Sequence, residues 1–199
     1  MEGELNMSKE GKTGASTNTP KNILFGAGTI HKNLKYEGSA WNFTESLMGA
    51  TSGGSKLSII PEVTNVEVDG ALVKAKGLTI KTGETATMEI NFIELTKEII
   101  KAATIGVEGV SEDTTYDLIE SKAQIAEGDY LENIAFVGKT LEGKNVIAIL
   151  DNALCTSGFE QEGKNKEGTI GKYTFECHAE LDSDLDTLPW HIYYPKATA

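Results

Sequence analysis

The residues of this chain that could do chemistry are three histidines, two cysteines and one glycine-rich stretch. His31, His178 and His191 are scattered, without the HxH or HExxH spacing that would bring two imidazoles to one metal. His178 lies between Glu176 and Glu180 on one side of an alternating run; this grouping could hold a metal weakly, and reads more simply as a solvated or interfacial face. Residues 49–56, Gly-Ala-Thr-Ser-Gly-Gly-Ser-Lys, are superficially similar to a phosphate-binding loop. That loop needs Lys followed by Ser or Thr, so that the amine reaches phosphate and the hydroxyl reaches Mg²⁺. Here Ser55 precedes Lys56, and a strand-like run follows where a helix is required. Gly26-Ala27-Gly28 lacks the third glycine and the helix of a dinucleotide fingerprint and reads as a bend or bulge. No Ser-His-Asp or Cys-His signature surrounds Cys155, Ser157 or Cys177, and the acidic pair Asp182/Asp184 falls in a loop. These residues give no catalytic constellation, no cofactor site and no metal site, so the expectation is a protein that is not an enzyme.

The elements that would position these residues are mostly strands. From Thr85 to Ile93, Ala86, Met88, Ile90 and Phe92 alternate with Thr85, Thr87, Glu89 and Asn91, a period of two that marks a strand with one buried and one wet face. Further strands are expected at Leu57–Ile60, Asn65–Val68, Ala71–Ala75 and Leu78–Lys81, with turns at Asp69-Gly70 and Thr82-Gly83-Glu84. Residues 44–56 read as a loop with three glycines. A short helix is expected from Thr96, as N-cap, to Ile105, with Gly106 closing it. Tyr130–Val137 and Asn145–Leu150 flank Leu141-Glu142-Gly143-Lys144 as a hairpin, and Thr169–Leu181 forms another strand with Tyr173, Phe175, Cys177 and Ala179 inward. Cys177 is therefore expected to be a buried thiol, which behaves as a small hydrophobe. Two β-rich halves around one helix predict a mainly β protein, an antiparallel sandwich or split barrel with one short flanking α-helix.

Composition narrows the function. The chain has 199 residues, 39% of them hydrophobic, with 21 glycines and 4 prolines, which suits one β domain with many tight turns. Its formal charge is −12, from 30 acidic and 18 basic residues. Such a chain gains nothing from counterion release, which excludes ordinary nucleic-acid binding and disfavours anionic membrane surfaces. Residues 1–21 are polar and rich in Gly, Ser, Thr and Lys, and read as a flexible arm without the apolar run of a signal peptide. The domain is expected over 22–195, with a short tail at 196–199. The longest aliphatic run, Val146–Leu150, is far too short to cross a bilayer. The expectation is a soluble protein made in the cytosol.

The order of several short motifs resembles the major tail (tail tube) proteins of long-tailed bacteriophages of Gram-positive bacteria. The motifs are Phe25-Gly26-Ala27-Gly28-Thr29-Ile30, Met48-Gly49-Ala50-Thr51-Ser52-Gly53-Gly54, Ile60-Pro61-Glu62, Val66-Glu67-Val68-Asp69-Gly70-Ala71 and Lys76-Gly77-Leu78. Ile93-Glu94-Leu95 leads into the helix as in that family, and Asp129–Ala135, Asn152-Ala153-Leu154, Phe175–His178 and Pro189–Pro195 follow in order. The resemblance spans about residues 23–195. It implies a virion protein that self-assembles into stacked, usually hexameric rings, forming a tube that holds the tape-measure protein and later conducts the genome into the host. It also implies tail terminator and distal tail proteins as partners, passing DNA without specific binding, no membrane, and assembly in the host cytoplasm. On that reading Glu67 and Glu89 are candidates to face the lumen. The loop residues Met48, Gly49, Ala50, Thr51, Ser52, Gly53 and Gly54 are candidates to join subunits or rings, with the 1–21 arm ordering on a neighbour. The competing reading is a non-catalytic β-sandwich binding or decoration module of a virion, using Trp190, Tyr193 and Tyr194 as a ligand face.

Overall fold

Central strands covered on both faces organise the computed structural model, which describes residues 14–196 apart from 164 and 167. A helical turn, α1 (Thr19–Asn22), precedes β1 (Leu24–Lys32), β2 (Tyr36–Glu37), β3 (Ala40–Trp41), β4 (Leu47–Gly49), β5 (Thr51–Asn65) and β6 (Thr79–Phe92). Then come the helix α2 (Lys97–Thr104), β7 (Val107–Gly109), β8 (Leu118–Glu120), β9 (Leu131–Thr140), β10 (Asn145–Cys155), β11 (Gly171–Cys177) and β12 (Trp190–Tyr193). The main sheet is antiparallel, in the order β4-β1-β9-β10-β11-β6-β5. β10 divides its outer edge: Ile147–Leu150 pair with β12, and Ala153–Cys155 pair with β11. The sheet curls so that β1 also lies near β5. The expected mainly β, antiparallel fold with one short flanking helix is the observed one.

β9 and β10 form the hairpin expected around Leu141–Lys144, with Gly143 taking the left-handed turn conformation (φ +81°). Both are apolar nearly throughout because both faces are covered. Ile134 and Leu150 join a core with Met48, Met88, Ile90, Phe92, Tyr173, Phe175 and the helix residues Ile99 and Ala103. Ala135, Val137, Ile147 and Ile149 join a second cluster with Leu34, Trp41 and Phe43. Asn133 fastens the second cluster. Its buried amide accepts from the Leu34 N–H (2.8 Å) and donates to the Leu34 carbonyl (3.2 Å), fixing the chain after β1 against β9.

β6 obeys the alternation read from its sequence: Ala86, Met88, Ile90 and Phe92 are buried, and the residues between them are partly open to solvent. Several local expectations are corrected. Thr82-Gly83-Glu84 is not a turn; β6 runs straight through it, with Gly83 opposite Glu62 where β5 has a register shift. Residues 66–78, expected to hold two short strands, hold none. They form the tip of the β5–β6 hairpin, turning at Asp69-Gly70, where the Ala71 N–H donates to the Val68 carbonyl (3.0 Å). The glycine-rich stretch 44–56 is mostly strand, because Ser55–Asn65 pair along β6 and Gly53 and Gly54 are absorbed as an irregularity. The strand expected over 169–181 is trimmed to Gly171–Cys177, the part that has β6 and β10 as partners.

The helix keeps its expected N-cap: Thr96 Oγ1 accepts from the Ile99 N–H (3.2 Å). Its end differs, since Ile105, not Gly106, adopts the left-handed conformation (φ +50°). The Ile105 N–H donates to Ala102 O (3.3 Å) and the Gly106 N–H to Lys101 O (2.9 Å), the Schellman pattern. Gly106 is required for another reason: a Cβ there would stand 2.6 Å from Ile119 Cγ2. Thr19–Asn22 form a helical turn, so the end of the expected arm is structured; residues 1–13 and 197–199 of the expected arm and tail lie outside the described residues.

Gly26-Ala27-Gly28 is a bulge, with the β1–β9 register shifting between Phe25 and Thr29. Gly28 is left-handed (φ +70°), and a Cβ there would run into the Phe136 ring and stand 2.9 Å from the Val137 carbonyl oxygen. Gly28→Ala is expected to lower unfolding free energy by at least about 1–2 kcal/mol from backbone conformation alone, measured by urea denaturation. Gly26→Ala, which meets open space at φ +91°, should show only that backbone cost.

Candidate functional site

The chemistry-bearing side chains are not gathered into one place. His31 is buried on β1 between two hydroxyls, with Thr29 Oγ1 2.8 Å from Nε2 and Ser46 Oγ 2.9 Å from Nδ1. Ser46 donates its own hydrogen to the Asn42 carbonyl (2.6 Å), so Nδ1 carries the proton and Thr29 donates to Nε2. The imidazole is neutral, its pKa lowered by burial, and the network joins β1 to the 42–46 segment. His178 lies at the end of β11, its Nδ1 3.0 Å from the Glu176 carbonyl and its ring edge-on to Tyr130 at 5.4 Å. His191 pairs with Asp151 (3.0 Å) on the β10–β12 ladder. No group of three or more His, Cys, Asp or Glu side chains among the described residues is arranged to hold a metal.

Cys155 and Cys177 are both buried and unbridged. Burial raises both thiols, and Cys177, with Asp151 and Glu84 nearby, is pushed up to about 12. Neither has the thiolate character of a nucleophile.

The remaining candidates lie on the sheet surface. Glu89 projects from the wet face of β6, where Lys56 of β5 (3.1 Å) and Lys172 of β11 (2.7 Å) grip its carboxylate from either side. The two ammonium groups, Lys172 foremost, hold the Glu89 carboxyl below its usual range. Glu67 is exposed in the hairpin tip. Glu89 thus lies where β6 is flanked by β5 and β11, and Glu67 in the tip of the same hairpin. Of the 48–54 stretch, Met48 is buried in the core beside Phe92 and Ile99, whereas Ala50 and Gly53 are exposed. The aromatic ending is divided. Trp190 packs against the core and donates from Nε1 to Glu84 (3.1 Å), while Tyr193 stays half exposed at 4.9 Å from Trp41. Tyr194 donates its hydroxyl to Asn22 Oδ1 (2.8 Å).

Two larger features were not read from the sequence. The first is a free ribbon. β11 covers β6 only from Thr87 to Phe92, so Ile59–Asn65 and Thr79–Ala86 pair with each other alone. Ile60, Val63 and Ile80 are exposed along it, and Leu72 is 99% and Val73 80% exposed at its tip. The sequence signal was present in the apolar pair placed just after the Asp69-Gly70 turn. The second is a groove of about 590 Å³ lined by Tyr130, Leu131, Leu181 and His178 and edged by Glu127, Glu132 and Glu180. It joins segments about 50 residues apart, which no local motif announces.

No protein-family model matches the chain, and no curated protein matches its sequence.

Two measurements test this description. Both thiols should resist iodoacetamide at pH 8 in the native protein and react in urea; rapid native alkylation of Cys177 would contradict its burial. Because the folded His31 pKa is lowered, stability is fully present above its ordinary value of 6.5 and is lost as pH falls below it. Denaturation midpoints are therefore expected to drop between pH 7 and 5, and His31→Gln should flatten that part of the profile.

Proposed function

We propose that this protein is a self-assembling structural subunit of the tail tube type, forming stacked, six-membered rings within a phage tail. The observation that carries the reading is the free β5–β6 ribbon. An isolated two-stranded ribbon is at best marginally stable in water, and this one exposes Ile60, Val63, Ile80, Leu72 and Val73. Long open edges are normally shortened, bulged or charged to prevent association. Among the described residues no strand pairs with the outer edge of β5, which is interrupted by the irregularity at Gly53-Gly54, by Pro61 and by the register shift beside Glu62. Leu24 and Phe25 add exposed apolar surface on β1. Neighbouring copies would cover these edges and apolar groups.

The wet face of β5, β6 and β11 suits the wall of a conduit. Glu89 engages both Lys56 and Lys172, so the trio carries one net positive charge where the two lysines alone would carry two, which weakens the hold of that face on DNA. Glu67 and the net charge of −12 act in the same direction. On this reading the partners are further copies, a tape-measure protein inside the tube, and terminator and distal proteins at its ends. Assembly takes place in the host cytoplasm and the product resides in the virion.

A second reading, a monomeric binding or decoration module, draws on the aromatic row formed by Tyr36, Trp41 and Tyr193, whose ring centroids are 5.3 and 4.9 Å apart. Assembly separates the two. Negative-stain electron microscopy and sedimentation velocity across a concentration series should give rings or hollow tubes. A uniform monomer at every concentration would favour the binding module.

A further inference from the structure

We infer that the tip of the β5–β6 hairpin of one copy docks in the groove between β9 and the segment following β11 of the next, making a head-to-tail contact. This inference rests on the self-assembly reading and names the surfaces that would carry it. Leu72 and Val73 are 99% and 80% exposed, so the tip is not seated on its own chain. The limb from Leu72 to Lys76 carries two lysines and no acid, because Glu67 and Asp69 fall before the turn at Gly70. Neither Lys74 nor Lys76 has an ion-pair partner among the described residues.

The groove has the complementary character. Leu131, Ala179, Tyr130 and the almost fully exposed Leu181 (92%) give it an apolar lining. Glu127, Glu132 and Glu180 line the same groove and make it acidic. Glu132 is engaged by Lys35 (2.9 Å), whereas Glu127 and Glu180 have no ion-pair partner among the described residues. The volume of about 590 Å³ admits two aliphatic side chains with room for the lysine stems. Apolar side chains combined with complementary charge are the usual anatomy of a specific protein interface. Within one chain the tip is not seated in the groove, since Leu72 and Leu181 are both almost fully exposed; a contact between copies is heterologous and leaves every copy with one tip and one groove to offer. Such contacts close into rings or propagate as stacks.

Charge reversal tests the pairing in the full-length chain. One variant carries Lys74→Glu and Lys76→Glu, a second carries Glu127→Lys and Glu180→Lys, and a third carries all four. All substituted residues are exposed, and thermal melting checks that each variant folds. Sedimentation velocity is expected to show that either double reversal raises the concentration for half-assembly by about tenfold or more. The four-fold variant should recover. An equimolar mixture of the two double variants should also assemble, since each tip then meets a groove of opposite charge. If the wild type assembles and both double variants assemble equally well, the contact is wrong and self-assembly stands. If the wild type remains monomeric at every concentration, both readings fall.

Discussion

Burial of β9 and β10 on both faces is the constraint on which the rest of the fold depends. A strand covered on one side can rely on solvent for the other; these two cannot, so each needs a separate apolar layer above and below. The larger layer is supplied by β6, β11 and α2, and the smaller by Leu34, Trp41 and Phe43. The second layer comes from the short segment after β1, which includes the β2–β3 hairpin and is held by two hydrogen bonds between the Asn133 side chain and the Leu34 backbone. Polar groups can be buried there because they are paired: His31, Ser46 and Asn133 all find partners within the protein.

Away from that centre, order is progressively less supported by the chain itself. β11 and β6 bury one face and keep the other wet. Beyond Ala86 the β5–β6 ribbon loses its third strand. What remains is held by ladder hydrogen bonds and little apolar burial, while its aliphatic residues face water. This gradient, from doubly covered strands to a free ribbon, links the packing of the subunit to the proposal that it functions among copies of itself. Interfaces of this kind remove exposed apolar surface, the same term that stabilises the core.

The titratable residues show why residue type alone does not define a site. Three histidines occupy three environments: a buried hydroxyl network, the lip of an acidic groove, and a hydrogen bond to Asp151 on a strand ladder. The buried thiols are displaced from reactivity by desolvation. Glu89, a carboxylate on an exposed face, is held in its charged form by lysines from two neighbouring strands.

Local patterns carried much of this architecture. The alternation over 85–93, the Leu141–Lys144 turn, the Gly26–Gly28 bulge, the Thr96 cap and the inward row of Tyr173, Phe175 and Cys177 each follow from neighbouring residues, because period, capping and turn chemistry act over a few positions. The pattern failed where pairing over a distance decided the outcome. Thr82-Gly83-Glu84 has turn residues, yet continuous pairing with β5 keeps it extended; Val66–Val68 and Ala71–Ala75 have strand residues but no partner strand. Ile105, not Gly106, takes the left-handed position at the helix end, while Gly106 passes close to Ile119. The acidic groove and the lysine clamp on Glu89 were invisible because they join segments far apart in the chain. The sequence by itself determined which residues wanted burial and where the chain could turn. Tertiary structure decided which strands found partners, and so which apolar residues were left facing outward.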